Sequence, residues 1–154
     1  MRWTSDISEP IVEALYCEAL VLADEVRAAF DLMPADQRYE PSDSEKLAMS
    51  VEGLRTTTRM MHVLAWLLNQ RAYFSGDLSE TQLRRHGELP QDRPADPEQL
   101  ELLDAETRDL VAQTEQMHSR IARLDRAWRD GFEVHIPTVR QMRGRLEEAL
   151  QAGL

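Results

Sequence analysis

Glu115 and His118 have the Glu-x-x-His spacing by which one helix presents two metal ligands on a single face. A carboxylate-bridged metal pair needs a second such motif and two further glutamates. His62, His86 and His135 instead have Arg59, Leu83 and Phe132 three residues before them. The ligand set is incomplete, so no metal site is expected. Cys17 is the only cysteine, which rules out an internal disulfide or a thiolate zinc site. Its neighbours Tyr16 and Glu18 bring no positive charge to activate the thiol, and burial as a small apolar residue is the expectation. The six glycines are scattered and form no phosphate-binding loop. The serines lack a nucleophile-elbow context, and no Ser/His/Asp grouping has motif spacing. No catalytic residue and no cofactor are expected, and the chain reads as a non-enzyme.

Two arginine patterns remain. Arg120, Arg123, Arg126 and Arg129 recur every third residue. Steps of three drift by about 60° on a helix of 3.6 residues per turn, so these side chains wrap around it. Contact with the negative end of a helix dipole is their simplest role. Arg55-Thr56-Thr57-Thr58-Arg59 sets two arginines one turn apart on one face, where they repel unless an acidic group lies between them. Two readings are open: a partner-binding face, or pairing with the acidic first helix around Glu18 or Glu25.

The elements that carry these residues are helices. Ser8 caps a first helix running to about Met33, with Pro10 in its first turn. Its apolar stripe is Ile11, Leu15, Leu22, Val26, Phe30 and Met33. Pro34 to Pro41 forms a connecting loop. Ser42-Asp-Ser-Glu45 has capping-box spacing and opens a second helix that Gly76 closes in a left-handed cap. Leu47, Val51, Leu54, Thr58, Met61, Ala65, Leu68 and Ala72 alternate steps of four and three, which predicts a packing seam. From Met60 onward further apolar lines appear, Met60–Leu64–Leu67–Phe74 and His62–Trp66–Tyr73, so this half must be buried on more than one side. A second copy of the chain is the expected cover. Residues of about 76–95 read as a flexible loop with a short helical turn after Ser79. Asp96, Pro97 and Gln99 give a strong start to a third helix. Its seam is Leu100, Leu103, Thr107, Leu110, Thr114, Met117, Ile121, Leu124 and Trp128. It should fail near Gly131, and Pro137 opens a short C-terminal helix. The expected fold is all-α, a single domain over 1–154. It is an antiparallel three-helix bundle with two long helices plus a short C-terminal one.

Charge and length narrow the function classes. The net charge is −10 over 154 residues, with 12 acidic against 4 basic residues in 1–54 and 5 against 7 in 118–154. An acidic front with a mildly basic tail makes nucleic-acid binding unexpected, at most weak and through the C-terminal region. Seventeen of the eighteen cationic residues are arginine, whose planar fork pairs carboxylates. The longest apolar run, Met60–Leu68, is interrupted by His62 and short of the ~20 residues that span a bilayer. No secretory signal pattern opens the chain, so a cytoplasmic, protein-binding bundle is expected, or else a regulatory or ligand-binding one.

The stretch from Leu54 to Ala72 resembles the signature helix of the RcdA family, the alphaproteobacterial regulators of CtrA degradation. That pattern is approximately Arg-x-Thr-Thr-Arg-x-Met followed by Trp-Leu-Leu-x-Gln-Arg-Ala. Arg55, Thr57, Thr58, Arg59, Met61, Trp66, Leu67, Leu68, Gln70, Arg71 and Ala72 match it. The resemblance implies a dimeric three-helix bundle that serves as an adaptor, helping to deliver cell-cycle regulators to the protease ClpXP. Many members of that family carry no assigned function. With it, Arg55, Thr57, Arg59, Gln70 and Arg71 are the expected partner-binding residues. Met60, Leu64, Trp66, Leu67, Tyr73 and Phe74 are the expected dimer interface.

Overall fold

The computed structural model describes residues 8–31 and 40–153, with the backbone alone over 131–142. Five helices follow one another: α1 (Glu9–Ala29), α2 (Asp43–Phe74), α3 (Glu80–His86), α4 (Pro97–Leu100) and α5 (Ala105–Ala152). No strand occurs among the described residues, and the protein is all-α. At 1.5 Å per residue α2 is about 48 Å long and α5 about 72 Å.

Local chemistry sets most of the helix ends. Ser42 accepts the Glu45 N–H at 3.2 Å, and Gly76 takes φ +87° after the last turn of α2, both as expected. Pro10 sits in the first turn of α1, but the Ser8 hydroxyl makes no capping bond. α1 ends at Ala29, earlier than expected, and Met33 with most of the following loop lies outside the described residues. The start signal at Asp96 and Pro97 opens only the single turn α4. The chain bends again, and α5 begins on a second cap. There Asp104 accepts the Thr107 hydroxyl at 2.6 Å and its N–H at 3.2 Å. The Thr107 bonds hold the Asp104 carboxyl below its ordinary range. The residues expected to form a short C-terminal helix are helical, but they continue α5 without a break at Gly131 or Pro137. One glycine costs about 1 kcal/mol in a helix and one proline about 3, and neither stops a helix of this length.

α1, α2 and α5 form a three-helix bundle. Cross-helix pairs fix its directions. Phe30 lies against Gly53 and Arg71 reaches Glu13, so α1 and α2 are antiparallel. Arg120 bonds Glu18, which ties α1 to α5. Arg59 meets Thr114 and Trp66 meets Asp125, so α2 and α5 run parallel. The antiparallel arrangement expected of all three therefore holds only for α1. A parallel pair needs a long return connection, and α3, the extended residues 87–96 (the strap) and α4 supply it. The strap, expected to be part of a flexible loop, is hydrogen-bonded along α2 and α5.

Inside the bundle the expected third seam is buried: Leu103 just before α5, then Thr107, Leu110, Thr114, Met117, Ile121 and Trp128 on it, with Leu100 of α4 and Leu124 half-buried. Thr114 also donates to the Val111 carbonyl at 2.7 Å, the back-bond that lets a threonine sit in such a seam. On α1 the buried line is Val12, Leu15, Ala19, Leu22 and Val26, while Ile11 is exposed. Cys17 is exposed rather than buried, because it lies two residues past Leu15 and so about 200° around the helix. The seam expected on α2 faces outward. Its buried residues are Ala48, Glu52, Gly53, Thr56, Arg59, Met60, Val63, Trp66, Leu67 and Gln70. Gly53 lets α1 come close there: a Cβ would stand 3.0 Å from the Phe30 ring, which would have to give by a few tenths of an ångström.

Candidate functional site

α2 carries two different surfaces. Its inward line, Glu52, Thr56, Arg59, Val63, Trp66 and Gln70, also steps by four and three, but it is mostly polar. Buried polar groups need partners, and the strap and α5 provide them. Arg59, 1 % exposed, donates Nε to both carboxylate oxygens of Asp92 at 2.9 Å. Its two other nitrogens reach Thr114 Oγ1 at 3.0 Å and the Arg93 carbonyl at 2.9 Å. Glu52 Oε1 accepts the Asp96 N–H at 3.2 Å and Arg55 at 3.0 Å. His118 Nε2 lies 3.1 Å from the Pro90 carbonyl, an acceptor, so that nitrogen carries the proton. At the far end Asp125 accepts Trp66 Nε1 at 3.0 Å, the Leu89 N–H at 3.3 Å and Arg129 Nε at 3.2 Å.

These contacts draw the strap out almost straight. Its seven steps from Leu89 to Asp96 cover the distance from the Trp66 level of α2 to the Glu52 level, about 21 Å along the helix. An extended chain at about 3.1 Å per residue covers the same length.

The outward line of α2 has the opposite character. Leu47, Leu54, Met61 and Leu68, seven residues apart, are exposed by 60 %, 71 %, 64 % and 46 %. Thr58 and Ala65 between them are exposed too. None of the described residues covers this heptad row, and such spacing suits another helix.

The residues expected to bind partners separate accordingly. Arg59 and Gln70 are buried, and Arg59 is a structural latch rather than a surface contact. Arg55 pairs with Glu52 on its own helix, not with α1. Arg71 bonds Glu13 at 2.7 Å, and its guanidinium lies 4.3 Å from the Tyr16 ring centre. The Glu13 bond holds the Arg71 guanidinium above its ordinary value, so it stays charged. Thr57 is exposed. The residues expected at a dimer interface divide in the same way. Met60, Trp66 and Leu67 are buried within the protomer, and Leu64, Tyr73 and Phe74 are half-buried against the same core. Leu83 of α3 joins the buried core of the protomer, and Leu89 of the strap packs against it. Glu115 is apart from His118 in role, since His118 is used by the strap; no group of three or more His, Cys, Asp or Glu is placed to hold a metal among the described residues. Because α5 runs on to Ala152, Arg120 to Arg129 lie in mid-helix and do not cap a dipole. Arg120 reaches Glu18 and Arg129 reaches Asp125.

Glu52, Asp92 and Asp125 were not marked by sequence spacing, and His118 was marked only as half of a metal-ligand pair. The signal was the mixed four-three line around Arg59, which a count of apolar residues passes over.

The chain matches, over residues 4–150, a family described as a protein of unknown function, DUF1465. It belongs to that family. No curated protein and no solved structure matches it. The family is thus an all-helical one in this member, and its long second helix holds the strap on one face and bare apolar residues on the other. Among the described residues no helix is long and apolar enough to cross a membrane.

Proposed function

We propose that this protein is a non-enzymatic, cytoplasmic adaptor that works by protein–protein contacts as a homodimer, serving ClpXP-dependent proteolysis of cell-cycle regulators. The observation that carries the reading is the uncovered row Leu47, Leu54, Met61 and Leu68. A heptad row left open on a rigid helix is the shape that pairs with a second helix, and two copies of the same row are self-complementary about a two-fold axis. The interface is therefore assigned to this face in place of Met60, Trp66 and Leu67. The link to ClpXP rests on the resemblance of residues 54–72 to the RcdA signature. The matching residues divide by role: Arg59, Trp66, Leu67 and Gln70 build the interior, while Thr57, Thr58, Met61 and Leu68 stay outside.

The test has two arms. Sedimentation equilibrium at tens of micromolar should give a dimer. A pull-down from lysate with the tagged protein should enrich the protease subunits by mass spectrometry. A monomer removes the dimer, and capture without protease subunits removes the adaptor role.

A further inference from the structure

We infer that the groove between α2 and α5 is a binding site for an extended peptide of the pattern apolar-Pro-x-Asp from a protein partner, and that the strap is its resident occupant. This rests on the reading of the chain as a protein-binding bundle, though not on which protease or cargo it serves. Four anchoring side chains read main-chain atoms of the strap. They are Asp125 on the Leu89 N–H, His118 on the Pro90 carbonyl, Arg59 on the Arg93 carbonyl and Glu52 on the Asp96 N–H. Contacts to main chain do not depend on which residues the segment carries, so any chain extended in the same way can make them. Selectivity enters at two positions. Leu89 packs against the bundle core, and the Asp92 carboxylate is held by Arg59. Pro90 and Pro94 keep the segment in an extended form that loses little freedom when bound.

Two further observations favour a replaceable occupant over a mere anchored loop. Burying Glu52, Arg59, His118 and Asp125 is a poor way to gain stability, because well-packed apolar residues serve as well or better. The strap also fits imperfectly. Near its Asp96 end, Glu52 Oε2 and Thr56 Oγ1 on α2 and Gln99 Oε1 on α4 are buried without a hydrogen-bond partner. Glu52 and Thr56 are themselves fully buried, so a peptide that brings an N–H to this end satisfies groups that the strap leaves bare.

The probe is a fluorescent peptide copying residues 87–96, titrated into the full-length protein and into a Leu89→Ala/Asp92→Ala variant whose own strap is weakened. Apparent affinity falls with the fraction of molecules whose groove is open, so the variant should bind about tenfold or more tighter than the unaltered protein. A peptide with alanine in place of its aspartate should bind at least about tenfold more weakly, having lost a charge-assisted pair. A variant with native helicity that binds neither peptide overturns the proposal. So does a variant that associates with itself in proportion to its concentration and excludes the peptide, since the groove then takes the strap of a second copy. Hydrogen exchange of the unaltered protein keeps the idea testable should the variant fail to fold. The Leu89 and Asp96 amides should exchange about tenfold or more faster than the interior amides of α2, through opening of the strap alone. Exchange as slow as that of α2 shows that the groove never opens and overturns the proposal. Peptide binding by a protein that sediments as a monomer, or that captures no protease, leaves this site standing while the proposed function falls.

Discussion

Replacing Asp92 by alanine should cost this protein a large part of its stability, although the residue lies in a connection between helices. The Arg59 side chain is fully buried, and the Asp92 carboxylate is 22 % exposed. Removing one partner of a fully buried pair costs about 3–5 kcal/mol, because the remaining charge has no solvent. Here the bonds from Arg59 to Thr114 and to the Arg93 carbonyl survive, and water can reach the space left by Asp92. A loss of about 2–3 kcal/mol follows. For a chain of this size that corresponds to a fall of roughly 5–10 °C in Tm. The double variant Arg59→Met/Asp92→Ala removes both charges, and it should be more stable than the sum of the single losses by about 1–2 kcal/mol. Urea denaturation followed by circular dichroism, on the wild type, both single variants and the double, completes the cycle. If Asp92→Ala melts within about 2 °C of wild type, or if the losses simply add, the pair is not the latch described and the ordering of the strap has another cause.

Asp104→Ala removes the N-terminal cap of α5 and should lower stability at pH 7 by about 1 kcal/mol. Because the folded Asp104 carboxyl is held below its ordinary range, that contribution is present above about pH 4 and drains away as pH falls through the folded value, so the gap to wild type should close in acid urea titrations. Leu54→Glu/Met61→Glu places two charges on the exposed row of α2 and should leave the helicity unchanged while sedimentation equilibrium shifts from dimer to monomer. Cys17 should react with a thiol reagent in the folded protein as fast as a free thiol, whereas labelling that waits for unfolding would mean a buried side chain.

The legibility of the fold differs from helix to helix for physical reasons. The seam from Leu103 to Trp128 was readable because its inward positions are apolar or are threonines that bond within the helix. On α1 the line was nearly right, slipping only where Val12 and not Ile11 turns inward. α2 misled because it carries two four-three lines. The apolar one from Leu47 to Leu68 has every mark of a core seam, yet the interior takes the line of Glu52, Thr56, Arg59 and Trp66. Glu52, Arg59 and Trp66 are met there by Asp92, Arg93, Asp96 and Asp125 from more than 25 residues away in sequence. No local pattern carries that information. The prolines and charges of residues 87–96 look like a solvated linker for the same reason, since their partners belong to other helices. Within the stretch from Leu54 to Ala72, Arg59 and Trp66 report the interior rather than a surface.

The proposed dimer on the outer face of α2 should assist regulated proteolysis. Its most direct test is the initial rate at which purified ClpXP degrades a cell-cycle regulator, measured with wild-type protein, with the Leu54→Glu/Met61→Glu variant, and with neither. Wild type should raise the rate, and the variant, folded but monomeric, should leave it at the level seen with neither. A rate that wild type does not change, or that the monomeric variant raises equally, would contradict it.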